Sequence, residues 1–253
     1  STLYLIDAIT CAAPIWATFR LSPMPPTNGA NGARFGAVLS ILEGFRYLAG
    51  NHVVLMSFLV DLIAMILGMP RALFPQMAHE SFGGPIEGGT TMALLAAAMS
   101  AGAVAGGVFS GWLPRIRRQG LAVVVAIVAW GLAMVGFGVV GGLAGGTAGT
   151  FLWIALAFLA IGGAADMVSA AFRSTILQQA ASDELRGRLQ GVFTVVVAGG
   201  PRLADAVHGA AAAAVGTTVA AAGGGALVVV GVVIAALAVP AFVRYRVTDS
   251  DKV

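Results

Sequence analysis

Leu121–Leu143 reads LAVVVAIVAWGLAMVGFGVVGGL, without a charged residue or a proline. A helix needs about 20 apolar residues to cross roughly 30 Å of hydrocarbon, and this stretch supplies them. Working outward from it, six further stretches have the same character: Leu3–Phe19, Val53–Phe74, Thr91–Leu113, Thr150–Phe172, Leu189–Ala211 and Thr218–Val243. All are too long for the roughly ten-residue strands of a membrane barrel, and none alternates polar with apolar residues. Backbone groups in lipid need partners within their own segment, so the stretches are helices. The sequence therefore predicts an all-α membrane protein with about seven transmembrane helices.

Composition agrees. Of 253 residues, 58% are hydrophobic and 10% are charged; soluble domains carry about a quarter charged residues. So little charge excludes a disordered chain, and the single Cys11 excludes a disulfide scaffold. The 14 basic residues barely exceed the 11 acidic ones. No basic stretch is long enough to follow a phosphate backbone, so nucleic acid is not an expected partner. His52, His79, His208 and Cys11 lack metal-ligand spacing. Neither a Gly-x-Ser-x-Gly elbow nor a phosphate-binding Gly-Lys-Ser/Thr loop occurs. We expect no enzyme, metal or cofactor chemistry and no ATP-driven transport. The abundance of Ala, Gly, Val and Arg points to a GC-rich bacterial genome, hence to a bacterial plasma (inner) membrane.

Basic residues orient the spans. Alternating the sides collects Arg20, Arg34, Arg46, Arg115, Arg117, Arg118, Arg173, Arg186, Arg188, Arg244, Arg246 and Lys252 on one side, 12 of the 14. The opposite loops, around His79–Thr90, Gly141–Gly149 and Ala212–Thr217, contain none. The basic side is expected to be cytoplasmic, with the C-terminus there and Ser1 outside. An outward start and an odd number of spans suggest the C-terminal piece of a longer protein. The predicted organisation is a transmembrane helix over 1–20, a cytoplasmic linker over 21–52, a six-helix bundle over 53–243 and a cytoplasmic tail over 244–253. In the linker, Phe35, Val38, Leu39, Leu42, Phe45 and Leu48 recur at helical spacing among Arg34, Glu43 and Arg46, as in an amphipathic helix.

One span, a long cytoplasmic linker and six more spans resemble the major facilitator superfamily from its sixth helix onward. Asp183-Glu184-Leu185-Arg186-Gly187-Arg188 is similar to that family's Arg-Gly-Arg signature at the start of the eleventh helix. Gly111-Trp112-Leu113-Pro114-Arg115-Ile116-Arg117-Arg118 is similar to the weaker copy of its Gly- and Arg-rich loop, without the acidic residue expected before the first Arg. Asp61–Gln76 (DLIAMILGMPRALFPQ) and Gly163–Gln178 (GAADMVSAAFRSTILQ) resemble the actinobacterial, enterobactin-exporter-like branch. The resemblance implies the C-terminal half of a major-facilitator fold. It further implies proton-driven export of a small amphipathic molecule, such as a siderophore or drug, with an N-terminal half as partner. The competing reading is a non-transporting membrane subunit or scaffold, since half a transporter lacks half its cavity.

Ionisable side chains inside spans are costly and read first as functional. Asp61 has no basic residue near it in its own span and is the expected proton site. Its alternative is a partner for an Arg on another helix. Arg202 and Asp205, three apart on one helix face and next to Pro201, are the expected ion-pair switch; their alternative is a structural pair. His208 follows one turn later and is read as interfacial. Arg71, near the outer end of its span, is expected to snorkel to the surface. Asp166, Arg173, Arg186, Arg188 and Arg115 are expected to form a cytoplasmic gate, and mid-span Trp130 to line the substrate cavity. Gly102, Gly106, Gly107 and Gly111 predict close helix contact.

Overall fold

A computed structural model describes residues 2–20, 46, 48, 50–180 and 183–246. The chain forms two units, Ser1–Leu39 and Ser40–Val253. Most of the linker, on which the expected amphipathic helix falls, and most of the tail lie outside the described residues.

The first unit contains α1 (Thr2–Arg20), which holds Pro14 within it. The Thr18 hydroxyl donates to the Pro14 carbonyl at 2.8 Å, and the Arg20 guanidinium lies 4.8 Å over the Trp16 ring.

The second unit holds α2 (His52–Gly68), α3 (Phe74–Glu80), α4 (Thr90–Val108), α5 (Gln119–Leu143), α6 (Thr150–Ala180), α7 (Asp183–Val215), α8 (Thr217–Ala238) and the single turn α9 (Pro240–Val243). No strand occurs among the described residues. Prolines move several helix ends from where apolar composition alone puts them. Pro70 lacks the N–H that would continue α2, so the chain turns through a 3-10 segment, Pro70–Leu73, before α3 resumes with Pro75 in its first turn. Pro114 lies in a second 3-10 segment, Ser110–Arg115, and Pro240 separates α8 from α9.

Five of the seven expected segments are helices long and apolar enough to cross a membrane: His52–Glu80, Thr90–Val108, Gln119–Leu143, Thr150–Gln179 and Thr217–Ala238. The sixth, α7, has length to spare at 33 residues, but Arg202, Asp205 and His208 interrupt its apolar run. The bundle is apolar outside as well as inside. Leu132, Trp153, Ile161, Leu227, Ile234 and Leu237 are all more than half exposed. A water-soluble bundle would carry charge at such positions; here the exterior matches lipid. The chain is a multi-pass helical membrane protein.

Helix α5 is central, packed on α6 and α8, with α4 outside α6 and α2 wedged between α8 and α7. Small residues set these contacts. A Cβ at Gly131 would stand 2.8 Å from the Gly225 carbonyl, so α5 and α8 meet backbone to backbone. At one end, the Gly146 N–H donates to the Ser81 carbonyl at 3.0 Å, joining the α3–α4 and α5–α6 loops. Glu87 in that region and Arg118 at the other end are both exposed. In a Cys11→Ser background, single cysteines at Glu87 and Arg118 are expected to react with an impermeant maleimide from opposite sides of sealed membranes. Labelling of both from one side would overturn the alternating topology.

Candidate functional site

Asp61 lies nine residues into α2 and Arg173 seven residues before the end of α6. The two helices start from a common end of the bundle in opposite chain directions. At 1.5 Å per residue both side chains therefore sit about 10–14 Å from that end. The structure joins them. An Arg173 Nη is in ion-pair contact with an Asp61 carboxylate oxygen, and the two side chains are only 11% and 9% exposed. The other Arg173 Nη is 3.9 Å from Asp166, whose side chain is 52% exposed. Arg71 is within electrostatic reach of Asp166. Opposite charges therefore alternate from Arg71 through Asp166 and Arg173 to Asp61.

Two cavities meet at the pair. One, of about 300 Å³, is bounded by all four charges and by Met65, Met69, Trp130, Phe193 and Val197. The other, of about 140 Å³, has Ser57, Ser174 and Gln178 as its further polar lining. Asp61, Arg173 and Phe193 line both, so these three side chains form the partition between them. Phe193 is braced edge-on by Phe58, ring centres 6.3 Å apart.

Trp130 is 3% exposed, and its indole Nε1 has no hydrogen-bond partner among the described residues. Glycines on two helices make room for the ring. A Cβ at Gly68 would lie 2.6 Å from Nε1, and one at Gly162 would lie 3.3 Å from the ring carbons. Trp130 lines the larger of these two cavities.

Other expectations change. Asp61 is not a lone carboxylate: an arginine from another helix is on it, the alternative that its own span cannot reveal. Of the expected gate residues, Asp166 and Arg173 come together, and Arg173 is set between Asp166 and Asp61. The side chains of Arg186 and Arg188, on α7, lie outside the described residues. Arg115 lines a different cavity, with Arg117 and Gln119.

Arg202 and Asp205 do share a cavity of about 440 Å³ with Arg71 and Pro201. However, no ion pair within 4.0 Å joins them among the described residues. Arg202 is exposed and Asp205 half-buried. Spacing of three places two side chains on one face, but a shared face does not by itself bring them into contact. Arg71 is exposed, and it lines both of the cavities that Pro201 borders. His208, read as interfacial, is 3% exposed, with the Leu67 backbone and Asp205 as its polar neighbours. Gly224 of α8 leaves room for its ring: a Cβ there would be 2.9 Å from His208 Cε1.

The Asp61–Arg173 pairing escapes a reading of single spans but has a signal. Counting each charge's depth from the shared end of antiparallel helices brings these two to one level. The same count would have marked Phe193 less readily, since nothing distinguishes one apolar residue of α7 from the next.

Among the described residues no group of His, Cys, Asp and Glu side chains is placed to hold a metal ion. No protein-family model, curated protein or solved structure matches this chain.

Proposed function

We propose that the chain is part of a secondary active transporter in a bacterial plasma membrane. It would export a small amphipathic molecule, such as a siderophore or a drug, in exchange for protons, with its C-terminus in the cytoplasm. A second, pseudo-symmetric half would close the cavity. The observation that carries this reading is Arg173 held between two carboxylates at the partition of two cavities. Buried charges are costly in a membrane protein. A purely structural pair needs no second carboxylate and no cavity beside it.

The chemistry follows from the distances. With Asp61 ionised, Arg173 is tied to it and the partition is closed. A proton on Asp61 removes that attraction. Arg173 then moves toward Asp166, a shift of an ångström or so, since 3.9 Å is already the outer limit of an ion pair. Asp166 also has Arg71 within electrostatic reach. Moving Arg173 frees the partition around Phe193. The two arrangements differ by one proton, so a pH difference across the membrane shifts their populations. The lining of the larger cavity combines flexible Met65 and Met69 and the Trp130 ring with the charges. Such a lining accepts a molecule with an apolar body and a polar end.

The test uses the full-length protein in proteoliposomes with an imposed pH gradient and an entrapped pH-sensitive dye. Candidate amphipathic substrates should draw protons across the wild-type membrane. Asp61→Asn should abolish that coupling while substrate binding stays measurable. Wild-type coupling in both Asp61→Asn and Asp166→Asn would overturn the assignment and leave a structural charge cluster.

A further inference from the structure

The two cavities that meet at the Asp61–Arg173 pair lie at different depths. Besides Asp61, the smaller takes Ser57 and Phe58 from α2, both before Asp61. Besides Arg173, it takes Ser174, Leu177 and Gln178 from α6, all after Arg173. The larger cavity does the reverse. It takes Ala64 and Met65 beyond Asp61 on α2, and Asp166 and Ala170 before Arg173 on α6. The smaller cavity therefore lies between the pair and the end where α2 starts and α6 stops. Counting 1.5 Å per residue from Ser57 to Asp61 and from Arg173 to Gln178, it extends about 6–8 Å along the helices.

Size decides what this cavity can hold. Its volume is about 140 Å³. That is room for a few water molecules, at about 30 Å³ each, and is below the roughly 300–1,000 Å³ of small-molecule sites. Chemistry decides that water enters. Two serine hydroxyls and a glutamine amide line it beside the pair, and water settles in a cavity where it finds two or more polar partners. Ser174 and Gln178 are exposed, so the cavity opens along α6, whereas Ser57 is buried deep within it. Asp61 and Arg173 are its only titratable lining residues among those described. Arg173 engages one oxygen of the Asp61 carboxylate. A carboxylate has about four lone-pair sites, so water beside it can take or deliver a proton.

We propose that the smaller cavity is a water-filled proton route between Asp61 and the end of the bundle where α2 starts, too small for the exported molecule. When protonated Asp61 loses its proton, the O–H electron pair stays on the carboxylate and the proton passes to the water. Arg173 then returns to Asp61. The exported molecule occupies the larger cavity, so proton and cargo leave the pair by different ways. This route deepens the exchange proposed above and rests on that reading for its direction, from outside to cytoplasm.

Two readings on the full-length protein in sealed vesicles test the route, and neither needs a substrate. In a Cys11→Ser background with one added cysteine, silver ion is applied from one side, and thiols left free are counted with maleimide after unfolding. Silver is expected to protect Ser57→Cys from the side on which Arg118→Cys labels, and not to protect Met69→Cys from that side. In the second reading, a membrane-permeant carbodiimide modifies Asp61 only when the carboxyl is protonated. Acidifying only the Arg118 side should raise that modification in the wild type. Ser174→Leu, at an exposed position that tolerates the change, should slow the response by about tenfold, a barrier rise of about 1.4 kcal/mol; Ser174→Thr, which keeps the hydroxyl, should respond as the wild type does. Ser57→Cys beyond the reach of silver from that side would overturn the route. So would modification of Asp61 that follows only the pH of the opposite side. Candidate substrates that move no protons would overturn the exporter, while these two readings decide the route by themselves.

Discussion

Asp61→Asn is expected to destabilise the bundle by about 3 kcal/mol, and Asp61→Asn combined with Arg173→Gln to recover most of that loss. Removing one partner of a buried ion pair leaves the other charge without compensation, at about 3–5 kcal/mol. The low end applies because Asp166, 3.9 Å away, takes up part of the released guanidinium. Removing both charges leaves two neutral groups that can hydrogen-bond to each other. Thermal unfolding in detergent, followed by circular dichroism for the wild type, both single variants and the double, gives the coupling energy directly. Stability and function should then separate: the double variant folds but stays uncoupled from the pH gradient. A double variant as unstable as the sum of the singles would mean that the two residues do not act as a pair. A double variant that still couples would remove the proton switch from this position.

Gly102→Ala is expected to disrupt the α4–α6 contact and cost several kcal/mol, or the folded protein altogether. A Cβ at Gly102 would run into the Ala160 backbone carbonyl, and one at Gly163 into that of Met99. Both neighbours are backbone atoms, so relief requires moving a helix axis rather than turning a side chain. Overpacking a well-filled site typically costs about 1–3 kcal/mol, and a backbone obstacle takes this change above that range. One turn away, a Cβ at Gly107 would meet only the end of the Met167 side chain, at 3.4 Å. Gly107→Ala is therefore expected to be close to neutral. Equal yields and melting temperatures for the two variants would show that α4 and α6 do not meet as closely as the structure has them.

The spans themselves were legible because hydropathy is local. An unbroken apolar run such as Leu121–Leu143 needs no neighbour to be recognised, and it forms α5 with only a two-residue extension at its start, to Gln119. The close approach of α4 was likewise legible in the spacing of Gly102 and Gly106, because only small residues admit a neighbouring backbone. Helix breaks at Pro70, Pro114 and Pro240 were written in the sequence too; run length alone passes over them because proline interrupts hydrogen bonding without lowering hydropathy much.

Pairing of charges was decided by tertiary structure. Asp61 and Arg173 are 112 positions apart in the chain and share a site because α2 and α6 reach the same depth from opposite directions. Arg202 and Asp205 are three apart and do not pair in the described structure, because sequence proximity fixes the face and not the rotamer. The apolar runs of this sequence determined that the chain is a membrane bundle, since each run carries its own requirement for lipid. Which charges face each other and which side chains divide one cavity from the next were decided only by packing, since those properties belong to pairs of helices and to no single one.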